Sequence, residues 1–147
     1  MHPNPTFRTQ ERDRILSFAH DRGFGILAVA GEGAPLLAHV PFVAGVGPEP
    51  CLDLHLVRSN PLLRLLDVSR PARLAVSGPD SYVSPDWYGM EDQVPTWNYV
   101  AVHLIGRLER LPQEALRDVI DRQSAAFEGR LHPKKPWTTA KMDEEAL

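Results

Sequence analysis

A chain of 147 residues with 43% apolar and 24% charged side chains is long enough to bury about 70% of its unfolded surface, and its composition is that of a globular domain. A net charge of -3 gives no overall positive field for nucleic acid, no apolar run approaches the roughly 18 residues of a membrane span, and Met1-His2-Pro3-Asn4-Pro5 lacks a signal-peptide layout. The single cysteine, Cys51, excludes an intramolecular disulfide, and these features together predict one cytoplasmic domain over residues 1–147 with no membrane partner.

Thr9 is placed to cap a first helix whose apolar stripe is Ile15, Leu16, Phe18 and Ala19, with Gly23 ending it. Phe24 to Ala30, the turn Gly31-Glu32-Gly33-Ala34, and Pro35 to Val43 read as a hairpin. Pro41 cannot donate to a ladder, so its strand is expected at an edge or a bulge where backbone groups can meet a ligand. Cys51 to Val57 alternates Leu52, Leu54 and Leu56 against Asp53 and His55, which predicts a third strand. Asn60 then stands as an N-cap and Pro61 as a first helical residue, ahead of a stripe of Leu62, Leu63, Leu65 and Leu66.

Arg73 to Ser77 reads as a short strand and Gly78-Pro79-Asp80 as a turn. Ser81 to Tyr88 has the look of a loop punctuated by Pro and Ser, with aromatics turned to a ligand or a partner. From Tyr99 a long half-buried strand sets Val100, Val102, Leu104 and Leu108 against Tyr99, Ala101, His103, Ile105 and Arg107, with Gly106 marking a bulge or a close backbone contact. Pro112 opens a last helix in which Leu116, Val119, Ile120 and Phe127 are spaced for burial and Gly129 ends it; a short helix can follow Thr139. At least five strands and three helices, several joined as hairpins, predict an α+β, mainly β protein with an antiparallel, barrel-like sheet. No Gly-x-Gly-x-x-Gly or Gly-Lys-Ser phosphate motif supports a doubly wound alternative.

Several residues can carry chemistry. Arg58-Ser59-Asn60-Pro61 joins a cation, a hydroxyl and a helix start, which suits a phosphate monoester; the plainer reading is an ordinary cap beside a solvated Arg. His39, His55 and His103 lie on three strands and could reach a zinc ion, but without helical ligand spacing or a Cys-x-x-Cys pair they read as hydrogen-bonded sheet or pocket histidines, and no metal is expected. Ser59 and Ser84 lack the Gly-x-Ser-x-Gly elbow of a hydrolase. Trp87, Tyr88, Trp97 and Tyr99, grouped with Thr96 and Asn98, either pack a core or interface or stack beside a planar heterocycle. Arg130, Lys134 and Lys135 form the one local basic patch, too little to expect direct DNA binding.

The segments His39-Val40-Pro41, His55-x-x-Arg58-x-Asn60-Pro61, Gly78-Pro79-x-x-Tyr82-Val83-Ser84-Pro85-x-Trp87-Tyr88 and Val94-Pro95-Thr96-Trp97-Asn98-Tyr99-x-x-Val102-His103-x-x-Gly106 carry a resemblance. Through them most of residues 15–130 resembles the PaiB-like FMN-binding negative transcriptional regulators, related to the split-barrel flavoproteins typified by pyridoxamine phosphate oxidase. The resemblance implies an FMN-binding split β-barrel with flanking helices that works as a homodimer, with FMN at the subunit interface. It implies cofactor contacts from His39, Val40, Pro41, His55, Val57, Arg58, Ser59, Asn60, Ser84, Trp87, Thr96, Trp97 and Asn98, with Arg58, Ser59 and Asn60 on the phosphate and Trp97 with Asn98 reaching in from the partner chain. Against family chains, this one ends before a further strand and a Gly-Lys-Trp-Lys-Leu-Ser-Gln-Asn-like tail. The expected role is flavin-dependent redox activity on an unidentified substrate or negative transcriptional regulation, with no catalytic residue nameable. The alternatives are a regulatory dimer that has lost its flavin, or a haem-binding split barrel with His39, His55 or His132 as axial ligand.

Overall fold

The structure, a computed structural model, describes residues 4–7, 11–46, 49–89 and 91–143. Helix α1 runs Arg12–Arg22 with Glu11 at its N-cap; the Thr9 expected to cap it lies outside the described residues. It ends as its sequence predicts. Gly23 takes a left-handed φ of 58° and returns its N–H to Ala19 O, and a Cβ there would stand 2.6 Å from the Phe127 ring, so both conformation and space call for glycine. Strands β1 (Phe24–Val29) and β2 (Leu36–Ala44) form the expected antiparallel hairpin, in register from Phe24 opposite Pro41 to Val29 opposite Leu36. Strands β3 (Leu52–Leu54), β4 (Arg70–Val83) and β5 (Thr96–Leu108) complete an antiparallel sheet of order β3-β2-β1-β4-β5, and helix α2 (Leu116–Glu128) ends at Gly129. This is the α+β, mainly β class predicted. The split-barrel character shows in β2, which pairs with β1 from Leu36 to Pro41 but with β3 only from Phe42 to Ala44.

Five local readings change in the folded chain. Gly78-Pro79-Asp80 is not a turn but a bulge inside β4, where the register with β5 shifts between Ser77 and Asp80. Tyr82 and Val83 consequently belong to β4, opposite Trp97 and Thr96, and the expected loop shrinks to a 3-10 turn at Pro85–Tyr88. A strand of this length survives its Gly and Pro because β5 supplies a continuous partner on one side. The helix expected after Asn60 is a five-residue 3-10 turn, Pro61–Leu65, and the strand expected over Cys51 to Val57 is paired only at Leu52–Leu54. Gly106 pairs with Ala72 in unbroken register and has no atom within 4 Å of where a Cβ would lie, so it makes neither a bulge nor a close contact.

The strand alternation sorts the sheet into two unlike faces. Ala38, Val40, Phe42, Leu27, Val29, Leu74, Val76 and Val102 face a core closed by Ala19 and Leu62. Complete burial of a side chain such as Phe42 or Leu62 contributes about 1.5–3 kcal/mol. On the opposite face Phe24, Leu37 and Ile105 are exposed, with His39, Ile26, Ala75 and His103 in one row across β2, β1, β4 and β5.

Candidate functional site

Pro41 marks the place where the ladder opens. The Phe42 N–H donates to Gly23 O at 2.9 Å, toward β1, so the neighbouring residue turns its main-chain groups the other way, where β3 pairing has not yet begun. The prediction of a local edge at Pro41 holds in this sense, although β2 itself is an inner strand. A side chain from α2 fills the gap. Gln123, buried at 4% exposure, donates from Nε2 to Pro41 O at 3.4 Å and to Asp53 O at 3.2 Å, and its Oε1 faces His55 Nδ1 at 2.7 Å. One amide thus joins the two chain segments singled out in the sequence, 39–41 and 55–60.

Arg122, the next residue along the helix, braces the same edge. It donates to Asp53 Oδ2 at 2.6 Å, to Asp118 Oδ2 at 2.8 Å and to Ala44 O at 3.1 Å. Those carboxylates, Asp118 first and then Asp53, hold the guanidinium pKa above its ordinary value. The Asp53 bond matters more for stability, because its carboxylate is mostly buried while Asp118 is exposed to solvent that screens the pair. Sequence reasoning did not single out Gln123 or Arg122. A signal existed: Gln123 falls inside the helical stripe Val119, Ile120, Phe127, a polar residue where the period calls for an apolar one.

Beyond β3, Val57, Arg58 and Ser59 are exposed on the turn into the 3-10 helix. The Asn60 side chain accepts the Leu62 N–H at 3.0 Å, confirming the cap predicted for it. Its oxygen is engaged in the cap, and the short turn adds little dipole; the guanidinium of Arg58 and the hydroxyl of Ser59 are the residue types here that suit an anion. His39 is exposed on the open face of the sheet and stacks on Phe24 with centroids 6.5 Å apart, whereas the Val40 side chain is spent in the core.

Thr96, Trp97 and Asn98 stand at the other end of the strand order. The β4–β5 pair runs on past the start of β1 by about five residues, an arm of roughly 17 Å, and every residue from 91 to 101 that the structure describes is exposed. Trp97, 59% exposed, meets Tyr82 edge to face at 6.0 Å. Ser84 caps the 3-10 turn by accepting the Asp86 N–H at 3.3 Å, and Trp87 beside it is 72% exposed. The aromatics of this stretch therefore do not pack the chain's own core.

The three histidines do not converge. His39 and His103 occupy one row separated by β1 and β4, about 14 Å across, while His55 turns to Gln123. Arg73 Nη1 lies 3.5 Å from His103 Nδ1, and burial, then this cation, lowers the His103 pKa below its ordinary value. No cluster of three or more His, Cys, Asp or Glu suited to a metal ion occurs among the described residues. In the basic patch of the tail, Arg130 donates to Asp21 O and His20 O and Lys134 pairs with Glu128, so both are engaged internally. No helix among the described residues is long and apolar enough to cross a membrane. An open groove of about 480 Å³ around Arg117, Asp121 and Trp137 lies away from the candidate segments, and one of about 310 Å³ borders the end of β2 at Phe42 to Ala44, beside Arg122 and Arg130.

Comparison with known proteins bears on these features. A family model described as "Putative FMN-binding domain" matches residues 1–147. Among curated proteins the chain is similar to "Protease synthase and sporulation protein PAI 2" of Bacillus subtilis, 28% identical over 113 residues covering 76% of this chain and 54% of that protein. It is also similar to an uncharacterized protein of Saccharomyces cerevisiae, 35% identical over 99 residues covering 63% of this chain and 53% of that one. The chain spans about half the length of these curated relatives. Among solved structures, the FAD and heme binding protein from Mycobacterium smegmatis shares the fold with a TM-score of 0.62 at 23% identity, over 90% of this chain and 62% of that one.

Proposed function

The chain belongs to the FMN-binding domain family over residues 1–147, the PaiB-like group its motifs resemble, and on that premise we propose that it is a homodimeric FMN-binding protein. The observation that carries the reading is the meeting of segments 39–41 and 55–60 at the open β2–β3 edge through Gln123. The donor set fits the cofactor. Arg58 and Ser59 present a cation and a hydroxyl to a phosphate, Val57 offers exposed apolar surface beside them, and His39 with Pro41 borders the place for the ring. Thr96, Trp97 and Asn98, with Ser84 and Trp87 on the same arm, would come from the second chain. An exposed arm of aromatics and an exposed sheet face carrying Phe24, Leu37 and Ile105 are the kind of surface a second subunit covers. Bound flavin would supply electron or hydride transfer, and this chain's residues would hold and orient it. The cellular role follows as either redox chemistry on a small molecule or regulation in the manner the family's name suggests, in the cytoplasm and without direct contact to DNA.

The name of the Mycobacterium smegmatis neighbour raises FAD or haem as the group bound, with exposed His39 as the residue placed to ligate iron. The visible spectrum of the purified protein distinguishes flavin, haem and neither. The sharper test is Arg58→Ala. A charged hydrogen bond contributes about 1.5–3 kcal/mol, so FMN binding should weaken roughly tenfold to a hundredfold while riboflavin, which lacks the phosphate, binds as before. Equal weakening of both ligands in calorimetry would make Arg58 structural, and no binding of either by the unmutated protein would remove the flavin reading.

A further inference from the structure

Packing alone does not account for Gln123, because an apolar side chain would continue the buried stripe of α2. Its amide can be oriented in one sense only. Pro41 O and Asp53 O are both acceptors, and turning the amide over would set its oxygen against two carbonyl oxygens. The oxygen is therefore the atom that meets His55 at 2.7 Å, and the His55 Nδ1 must carry a proton to make that bond. We propose that Gln123 is a positioning residue that holds neutral His55 as the Nδ1–H tautomer, leaving Nε2 as a hydrogen-bond acceptor for an N–H or O–H group of the bound ligand. The main chain of β2 and β3 thereby sets the polarity of a ring nitrogen in the site. The ligand half of this inference rests on the flavin reading, since the ring imide and ribityl hydroxyls of FMN are donors of this kind. The tautomer half rests on the amide and its two carbonyls alone.

Long-range proton–nitrogen NMR of flavin-free protein in alkaline buffer, where an imidazole is neutral, reads the tautomer directly, with the His55 signals identified by their loss in His55→Asn. The expected spectrum has Nδ1 protonated and Nε2 bearing the lone pair, relaxing to a mixture in Gln123→Met, which keeps volume but offers no oxygen. A protonated Nε2 in the unmutated protein would overturn the positioning role, and that spectrum decides the matter even if Gln123→Met fails to fold. His55→Asn retains a donor for Gln123 but has no counterpart of Nε2. It should bind FMN about three- to tenfold more weakly with an unchanged unfolding midpoint, and unchanged affinity would overturn the acceptor role. Failure of the unmutated protein to bind FMN would remove the flavin reading and the ligand half together, while the tautomer, read without flavin, would still stand or fall separately.

Discussion

The β2–β3 edge and the β4–β5 arm are both places where a ladder runs out of partners, and they resolve it oppositely. At the first, the main-chain carbonyl of Pro41, just past the last β2–β3 pair, and that of Asp53 within the pair are met by the buried amide of Gln123, and Arg122 ties Asp53 to α2. At the second, the strands continue into solvent with Tyr82, Trp97 and Tyr99 exposed. A gap in a buried edge must be filled from within the chain, because an unsatisfied buried carbonyl costs about 1–3 kcal/mol. An exposed edge has water for its polar groups, and what it leaves unsatisfied is apolar surface, which a second chain can cover. The first region therefore reads as architecture that also shapes a site, and the second as surface awaiting contact.

Breaking the filled edge should have the largest effect. Gln123→Leu preserves size but removes its hydrogen bonds to Pro41 O, Asp53 O and His55, and it should lower the unfolding free energy by roughly 2–4 kcal/mol in urea titration. An unchanged midpoint would mean that water takes over those bonds and that the edge is less closed than it looks. The arm should respond in a different observable. Trp97→Ala should raise the dissociation constant of the proposed dimer at least about tenfold, near 1.4 kcal/mol, while shifting the subunit's own unfolding by less than about 0.5 kcal/mol. Sedimentation would show this, and an equal effect of Trp137→Ala in the tail would place the interface elsewhere.

The smallest effect concerns the segment that runs back along α2. Thr139 gives its N–H (3.0 Å) and Oγ1 (2.9 Å) to the Asp121 carboxylate, first the main-chain and then the side-chain bond holding that pKa below its ordinary value; Lys134 and then the Trp137 N–H do the same for Glu128. Both folded values lie below the unfolded ones, so their stabilisation is complete above the ordinary carboxylate range near pH 4 and is lost as pH falls through the lowered values. The tail should accordingly become protease-sensitive in acid before the sheet unfolds. Asp121→Asn, which keeps an acceptor oxygen without the charge, should flatten that dependence, and an unaltered acid profile would place the switch on other groups.

What could be read from the chain follows a physical division. Gly23, Asn60 and the hairpin around Gly31 to Ala34 were legible because each depends on atoms a few residues apart: a left-handed C-cap, an Asn oxygen on the N–H of the turn's second residue, a short reversal. The anion-suited run 58–60 and the aromatic run 96–99 were legible as residue types for the same reason. The sequence could not show that Gly78-Pro79-Asp80 would be carried inside β4, since the pairing that overrides a local turn comes from β5 some twenty residues later. Nor could it assign Gln123, although the residue interrupts an apolar stripe, because its partners Pro41 and Asp53 lie 82 and 70 positions away. By itself the sequence determined the element types, the caps and the chemical character of the candidate segments, through local propensity and period. Only the tertiary structure decided which of them meet, because an unpaired buried main-chain group takes whatever donor the folded chain brings beside it.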